Sequence, residues 1–262
     1  MAEYGISTLS IIPGRAEPAD SAEQVTQLLF GEFYEVKESR KKWLRIVTAH
    51  DDYVCWIDRK QHTLIDEKFV IRLAKQKFIP VCLEAAAMVL NNTTNESYPI
   101  LAGSSLPFFS DGKFKIGAQE FAFDGQVQLK PERKSAESVV QHAFMYMHTP
   151  YLWGGRQPFG IDCSGLVQVC YKMIGMNIPR DAHQQAALGH SLSFIEEAEP
   201  GDLAFFDNAE GKIIHVGIML ENNHIIHASG KVRIDRIDHQ GIFNNELNDY
   251  SHRLRIIKRI VG

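Results

Sequence analysis

One cysteine and two histidines stand in surroundings where they could carry out nucleophilic catalysis. Cys163 sits in Ile161-Asp162-Cys163-Ser164-Gly165-Leu166, at the entrance of a stretch whose apolar residues Leu166, Val167, Cys170, Met173 and Ile174 recur at helical spacing and which Gly175 is placed to stop. A free thiol, with a pKa of about 8.5, is mostly protonated at neutral pH. A helix N-terminus and a nearby imidazolium lower it to roughly 3.5–7.5, so position makes this sulfur a candidate nucleophile. Two first-turn amides of the same helix could hold the oxyanion of a tetrahedral intermediate. His215 lies in the strand-like run Ile213 to Leu220 and His227 in Ile225 to Ser229, joined by Glu221-Asn222-Asn223. A loop centred on Glu221 or Asn222 makes the histidines direct or diagonal cross-strand neighbours on one face, whereas a two-residue Asn222-Asn223 turn puts them on opposite faces. The first register is expected, with His215 taking the thiol proton and His227 orienting His215. Each residue also has a plainer reading: a buried cysteine is often a structural thiol, and a histidine in an apolar strand is often a satisfied core residue. One cysteine and two histidines are zinc ligands too, but neither Cys-x-x-Cys nor His-Glu-x-x-His accompanies them, and no metal or cofactor is expected.

The elements that must position these residues are legible in outline. Val139, Val140, Ala143, Phe144 and Met147 predict a helix over Ala136 to His148, and strands are predicted at Gly201 to Phe206, Ile213 to Leu220, Ile225 to Ser229, Lys231 to Ile237 and Arg253 to Val261. Helices first and strands second make an α+β domain. The front half alternates in short strands: Ile6 to Ile12, Gly31 to Val36, Lys42 to Thr48 and Tyr53 to Ile57, then Lys113 to Ile116 and Glu120 to Phe123, with turn signals at Asp51-Asp52 and Asp111-Gly112. Lys68 to Asn91 carries no clear period. Two small barrels, at 1–70 and 71–130, and a third domain at 131–262 are expected, the last boundary falling in the polar run Leu129 to Ser135 around Pro131. Tyr151-Leu-Trp153-Gly-Gly155, ahead of the nucleophile, and Pro179-Arg180-Asp181, after its helix, look like substrate wall. Read plainly, Trp153 is core and Arg180-Asp181 a solvated pair.

With a net charge of −4, the chain lacks the basic field that phosphate backbones select, so nucleic acid is not an expected partner. No signal-like segment precedes Pro13, and the stretch from Val81 to Leu90 is broken by Glu84 and too short to span a bilayer. A cytoplasmic protein without a membrane partner is expected, or a periplasmic one if a leader was trimmed. Four cysteines in 262 residues are too few for a disulfide framework, and free thiols are expected.

Six motifs in order, Tyr151 to Gly155, Asp162 to Gly165, Arg180-Asp181, Gly201 to Leu203, His215 to Gly217 and His227 to Ser229, resemble the NlpC-type papain-like cysteine peptidases over Ala136 to Gly262. The front half resembles the paired bacterial SH3-like domains of γ-D-glutamyl-L-diamino-acid endopeptidases, the dipeptidyl-peptidase VI group. The resemblance implies a papain-like domain behind two SH3-like barrels, a catalytic group of Cys163, His215 and His227, and cleavage after γ-D-glutamate in murein peptides with a free N-terminal L-alanine, releasing L-Ala-D-Glu. The diamino acid, diaminopimelate or lysine, stays open. It further implies that Asp162, Ser164 and Asp181 line the pocket with Tyr151 and Trp153, that Tyr53 closes its non-primed end, and that an acidic residue, Glu17 or in its place Glu23, meets the substrate amine. Relatives often have serine where this chain has Ala182. A monomer that recycles released wall peptides is expected; the alternatives are an acyltransferase or amidase on the same frame, and an inactive wall-binding protein.

Overall fold

A computed structural model describes residues 2–130 and 135–261 of the protein. Pro131, and with it part of the expected boundary, lies outside the described residues.

In the front half, an antiparallel seven-stranded sheet is built from Glu3–Ile6, Ile11–Arg15, Gln24–Leu29, Phe33–Ser39, Trp43–Thr48, Val54–Asp58 and Thr63–Ile65. The single strand expected from Ile6 to Ile12 is two, because Ile6 pairs with Phe33 while Ile11 pairs with Leu29. Asp52 turns the chain at a φ of 55°, between the strands that carry Trp43 and Trp56. The stretch without a clear period holds a helix, Glu67–Ala74: the Asp66 carboxylate accepts from the Phe69 amide at 2.6 Å, and Phe69 and Leu73, four residues apart, are buried. Beyond it come a four-stranded sheet, in the order Glu96–Leu101, Ala86–Asn91, Gln119–Ala122, Lys113–Ile116, and the short pair Val81–Cys82 with Val127–Gln128.

Two features differ from the expected division into 1–70, 71–130 and 131–262. The two front sheets share one apolar cluster, in which Ile6 and Ile65 of the first, with Phe30 beside them, pack with Val89, Ile100, Phe114 and Phe121 of the second, so they pack as one compact unit. The segment Trp153–Pro158, expected in the third domain, also belongs to this front unit. Its Arg156 is fully buried; the guanidinium donates to both carboxylate oxygens of Glu32 at 2.8 and 3.0 Å and to the Gln27 carbonyl at 2.6 Å. A buried cation of this kind is tolerable only beside such a partner, and the partner is in the front sheet region. Trp153 donates its indole N–H to Glu23 at 2.6 Å, and Gly154, with a φ of 73°, lies where a Cβ would stand 2.4 Å from the Gln24 carbonyl oxygen.

The second unit contains helix Ala136–Phe144, capped by Ser135, and the wholly buried helix Cys163–Met173. Strands Leu203–Asp207, Ile213–Leu220, His224–Ser229, Lys231–Ile237 and Gly241–Asn244 follow one another antiparallel, and the long strand Asp249–Arg259 pairs with both the first and the last of them, closing a barrel. Ala204, Phe206, Met219, Ile225, Ile237, Ile242 and Ile257 pack together as its core. By the two-residue period of strands, His215, His227 and Asp235 share the faces of Met219, Ile225 and Ile237. This barrel, with helices packed on it, makes the unit α+β.

Candidate active site

The helix Cys163–Met173 begins where it does because Asp162 caps it: the Asp162 Oδ1 accepts from the Gly165 amide at 2.7 Å. That carboxylate is itself held by Arg180, whose guanidinium donates to Oδ1 and Oδ2 at 3.0 and 2.5 Å and to the Ser164 hydroxyl at 2.8 Å. Arg180 is 1 % exposed, so the plainer reading of Arg180-Asp181 as a solvated pair does not hold; its partner is Asp162. Asp181 instead stands at the N-cap of the short helix Ala182–Gln185. Asp162 and Ser164 are thus tied into the frame that sets the helix end, and the Gly165 amide, one of the first-turn amides, is used by the cap. Tyr151 pairs beside Ile161, two residues from the nucleophile, and its own amide donates to the Gly230 carbonyl at 2.9 Å. Burial first, then the neighbouring Cys163 and Asp162, keep its phenol protonated above the ordinary range.

The expected lowering of the thiol pKa is not found. Burial, with Asp162 adding, pushes Cys163 up to about 12, and the Val216 and Ser164 backbone N–H groups and Arg180 pull against that without overcoming it. Removing the sulfur from water outweighs the helix end here. His215 is held well below its usual value by burial first and then by His227 and His252. Burial thus favours the uncharged form of both the Cys163 thiol and the His215 imidazole.

The loop between the histidine strands is centred on Asn222, with Leu220 opposite His224 and Gly217 opposite His227, which makes His215 and His227 diagonal neighbours on one face. Their rings meet edge to face, with His215 Nε2 2.8 Å from His227 Nδ1. Behind them, His227 Nε2 lies 2.9 Å from Asp235 Oδ2, and Asp235 takes two further hydrogen bonds from Arg233 at 2.7 and 2.9 Å. Although burial works to raise it, these bonds from His227 and Arg233 keep Asp235 below the ordinary carboxylate value. An ionised carboxylate accepts only, so His227 carries its proton on Nε2, its Nδ1 accepts from His215 Nε2–H, and the lone pair of His215 is left on Nδ1. One carboxylate at the far end fixes both tautomers.

Asp235 and His252 went unread in the sequence. Asp235 lies two residues before Ile237 on the inward face of a strand whose bounds were legible, and that position was its signal. His252 lies two residues before Leu254, but the strand predicted from Arg253 begins at Asp249 and so contains it. Its ring stacks on His215 with centroids 4.1 Å apart. In the front unit, Glu23, and not Glu17, meets Trp153, while Tyr53 is partly buried against the apolar cluster of Leu28, Tyr34 and Ile57.

Residues 148–249 match the NlpC/P60 family, and residues 14–61 match the bacterial dipeptidyl-peptidase Sh3 domain. The chain is 29 % identical over 217 residues to a gamma-D-glutamyl-L-lysine dipeptidyl-peptidase of Bacillus subtilis, covering 78 % of this chain and 71 % of the relative. It is 28 % identical over 254 residues to a dipeptidyl-peptidase 6 of Lysinibacillus sphaericus, covering 86 % and 88 %. The crystal structure of an NlpC/P60 family protein from Bacillus cereus superposes with a TM-score of 0.80 at 20 % identity, over 99 % of this chain and 100 % of that one, which is a likeness of fold.

Proposed function

Because this chain is a cysteine peptidase with an NlpC/P60 domain and, ahead of it, a bacterial dipeptidyl-peptidase SH3 domain, we propose that it cuts peptidoglycan peptides after γ-D-glutamate when they begin with a free L-alanine. The names of the two relatives described above support that substrate class, since both are dipeptidyl-peptidases and the Bacillus subtilis one is specified for γ-D-glutamyl-L-lysine.

The observation that carries the chemistry is the hydrogen-bonded line from His215 through His227 to Asp235. Cys163 gives its proton to His215 Nδ1 as the sulfur attacks the γ-glutamyl carbonyl. The tetrahedral intermediate collapses as His215 returns that proton to the departing amine, and water, deprotonated by the same nitrogen, releases the acyl group. The Cys163 amide and the Tyr151 hydroxyl are the donors we assign to the oxyanion. For the free amine we assign Glu23 in preference to Glu17, because its carboxylate already engages a predicted pocket residue, Trp153, with Tyr53 as the closing wall. Short, already released peptides are the substrates we infer, which makes this a recycling enzyme.

Incubation with L-Ala-γ-D-Glu-diaminopimelate and with its L-lysine counterpart, free and N-acetylated, tests this by product mass. Release of L-Ala-D-Glu from the free peptides alone is expected. Equal cleavage of the acetylated peptides would overturn the amine reading, comparable activity on intact cross-linked murein the recycling reading, and no cleavage at all the peptide assignment.

A further inference from the structure

His215 and His227 have roles in peptide cleavage, and His252 has none. Yet His252 completes a cluster: the three imidazoles bring one ring nitrogen each within 4.8 Å of one another. The His252 ring lies on His215 at an interplanar angle of 25° and meets His227 edge-on, centroids 5.7 Å apart. Its Nδ1 is 2.9 Å from the Ser251 hydroxyl, so Nε2 is the nitrogen left to face a third party. His227 is prepared in the same sense. Asp235 holds its Nε2–H, and Arg233 holds Asp235 by two hydrogen bonds, so the Nδ1 lone pair is fixed toward the cluster. A carboxylate behind an imidazole orients a metal-binding histidine and raises its basicity.

We propose that His215, His227 and His252 form a site for a borderline divalent transition ion, with Zn²⁺ as the probe, and that filling this site turns the peptidase off. Imidazole nitrogens bind zinc at about 2.0–2.1 Å, which in a tetrahedron sets them roughly 3.3 Å apart. His215 Nε2 and His227 Nδ1 start at 2.8 Å and must open slightly, while His252, half-buried at the edge of the group, turns in. Water takes the fourth position. The proton that His215 carries on Nε2 moves to its Nδ1, so none is released and no oxidation state changes. A protonated Nδ1 no longer accepts the thiol proton, and Cys163 stays a neutral thiol without itself binding the ion. The consequence for activity rests on the peptidase reading; the binding does not.

Calorimetric titration of ZnCl₂ into chelator-stripped full-length Cys163→Ala tests the site without any turnover. Uptake of one ion per chain is expected. In the same background His252→Phe, which keeps an aromatic ring over His215, should weaken it at least tenfold, and Asp235→Asn by about 10–100-fold. No uptake by Cys163→Ala, or affinity unchanged in a folded His252→Phe, would overturn the site; should circular dichroism find His252→Phe unfolded, the Asp235→Asn result decides, with unchanged affinity counting against it. In the enzyme with its cysteine, zinc should stop cleavage, a chelator should restore it, and His252→Phe should raise the half-inhibiting zinc concentration at least tenfold. Equal zinc sensitivity would refute the switch even with the site intact. Absence of cleavage by the metal-free parent enzyme would tell against the peptidase reading alone.

Discussion

Burial that pushes the Cys163 thiol up and the His215 imidazole down disfavours a resting ion pair between them, and this sets how activity should depend on pH. The base form of His215 survives to below its ordinary range, because burial and two neighbouring imidazoles disfavour the cation. Activity needs that form and falls as pH drops through the folded-state value. The acidic limb of kcat/KM is therefore expected below pH 6.5, and a limb at or above 6.5 would indicate a preformed thiolate–imidazolium pair instead. In the proposed mechanism Asp235 stands one residue removed from the base, as a positioning group. Asp235→Asn removes the reason for His227 to hold its proton on Nε2 and should cost on the order of 10²-fold in kcat with little change in KM, a loss in the sense known for tautomer control. Equal kcat in the variant, or a loss confined to KM, would remove Asp235 from that role. At this scale the helix start at Cys163 and the shared face of His215 and His227 were legible because a helix entrance and a hairpin register can be read from local sequence. Asp235, Arg180 and His252 were not, because their partners lie on other elements and only the closed barrel brings them in.

The hairpin between the two histidines works through a residue with no side chain. Gly217 stands opposite His227, and a Cβ there would lie 2.9 Å from the His227 Cβ and 2.7 Å from Ile225. Gly217→Ala should push the His227 ring off its line between His215 and Asp235 and lower kcat at least tenfold, measured beside a melting curve that shifts by only a few degrees. Full activity in Gly217→Ala would mean that the ring tolerates displacement. Strong periodic elements came through in the sequence with nearly correct ends: Ile213–Leu220 and Lys231–Ile237 were read to the residue, and the helix beginning at Cys163 to within one. The strand Gly241–Asn244 was missed because Gly-Ile-Phe-Asn does not alternate apolar and polar residues, and the helix Glu67–Ala74 because only Phe69 and Leu73 mark its buried face.

Over the whole molecule, the division into units does not follow the order of the chain. Glu32 and Arg156, 124 residues apart, are 2 % and 1 % exposed at their side chains, and each is the other's counter-charge. Glu32→Leu or Arg156→Met alone leaves one buried charge unpaired and should destabilise by about 3–5 kcal/mol, while the double exchange Glu32→Leu with Arg156→Met should recover most of that. Chemical denaturation of the four proteins checks it; losses that simply add would show that the two groups do not depend on each other. No sequence pattern reveals this pair, since nothing local marks a glutamate and an arginine that far apart as partners.

For anyone who would transplant the peptidase half into a fusion protein, that pair sets a condition. A clone starting at Ser135 would carry a six-residue loop whose guanidinium has left its carboxylate behind, only a few positions upstream of the reactive sulfur. Swapping front modules between homologous enzymes would meet the same difficulty unless the incoming module supplies an acid at the place of Glu32, so evolution and engineering alike must move the loop and its receptor together.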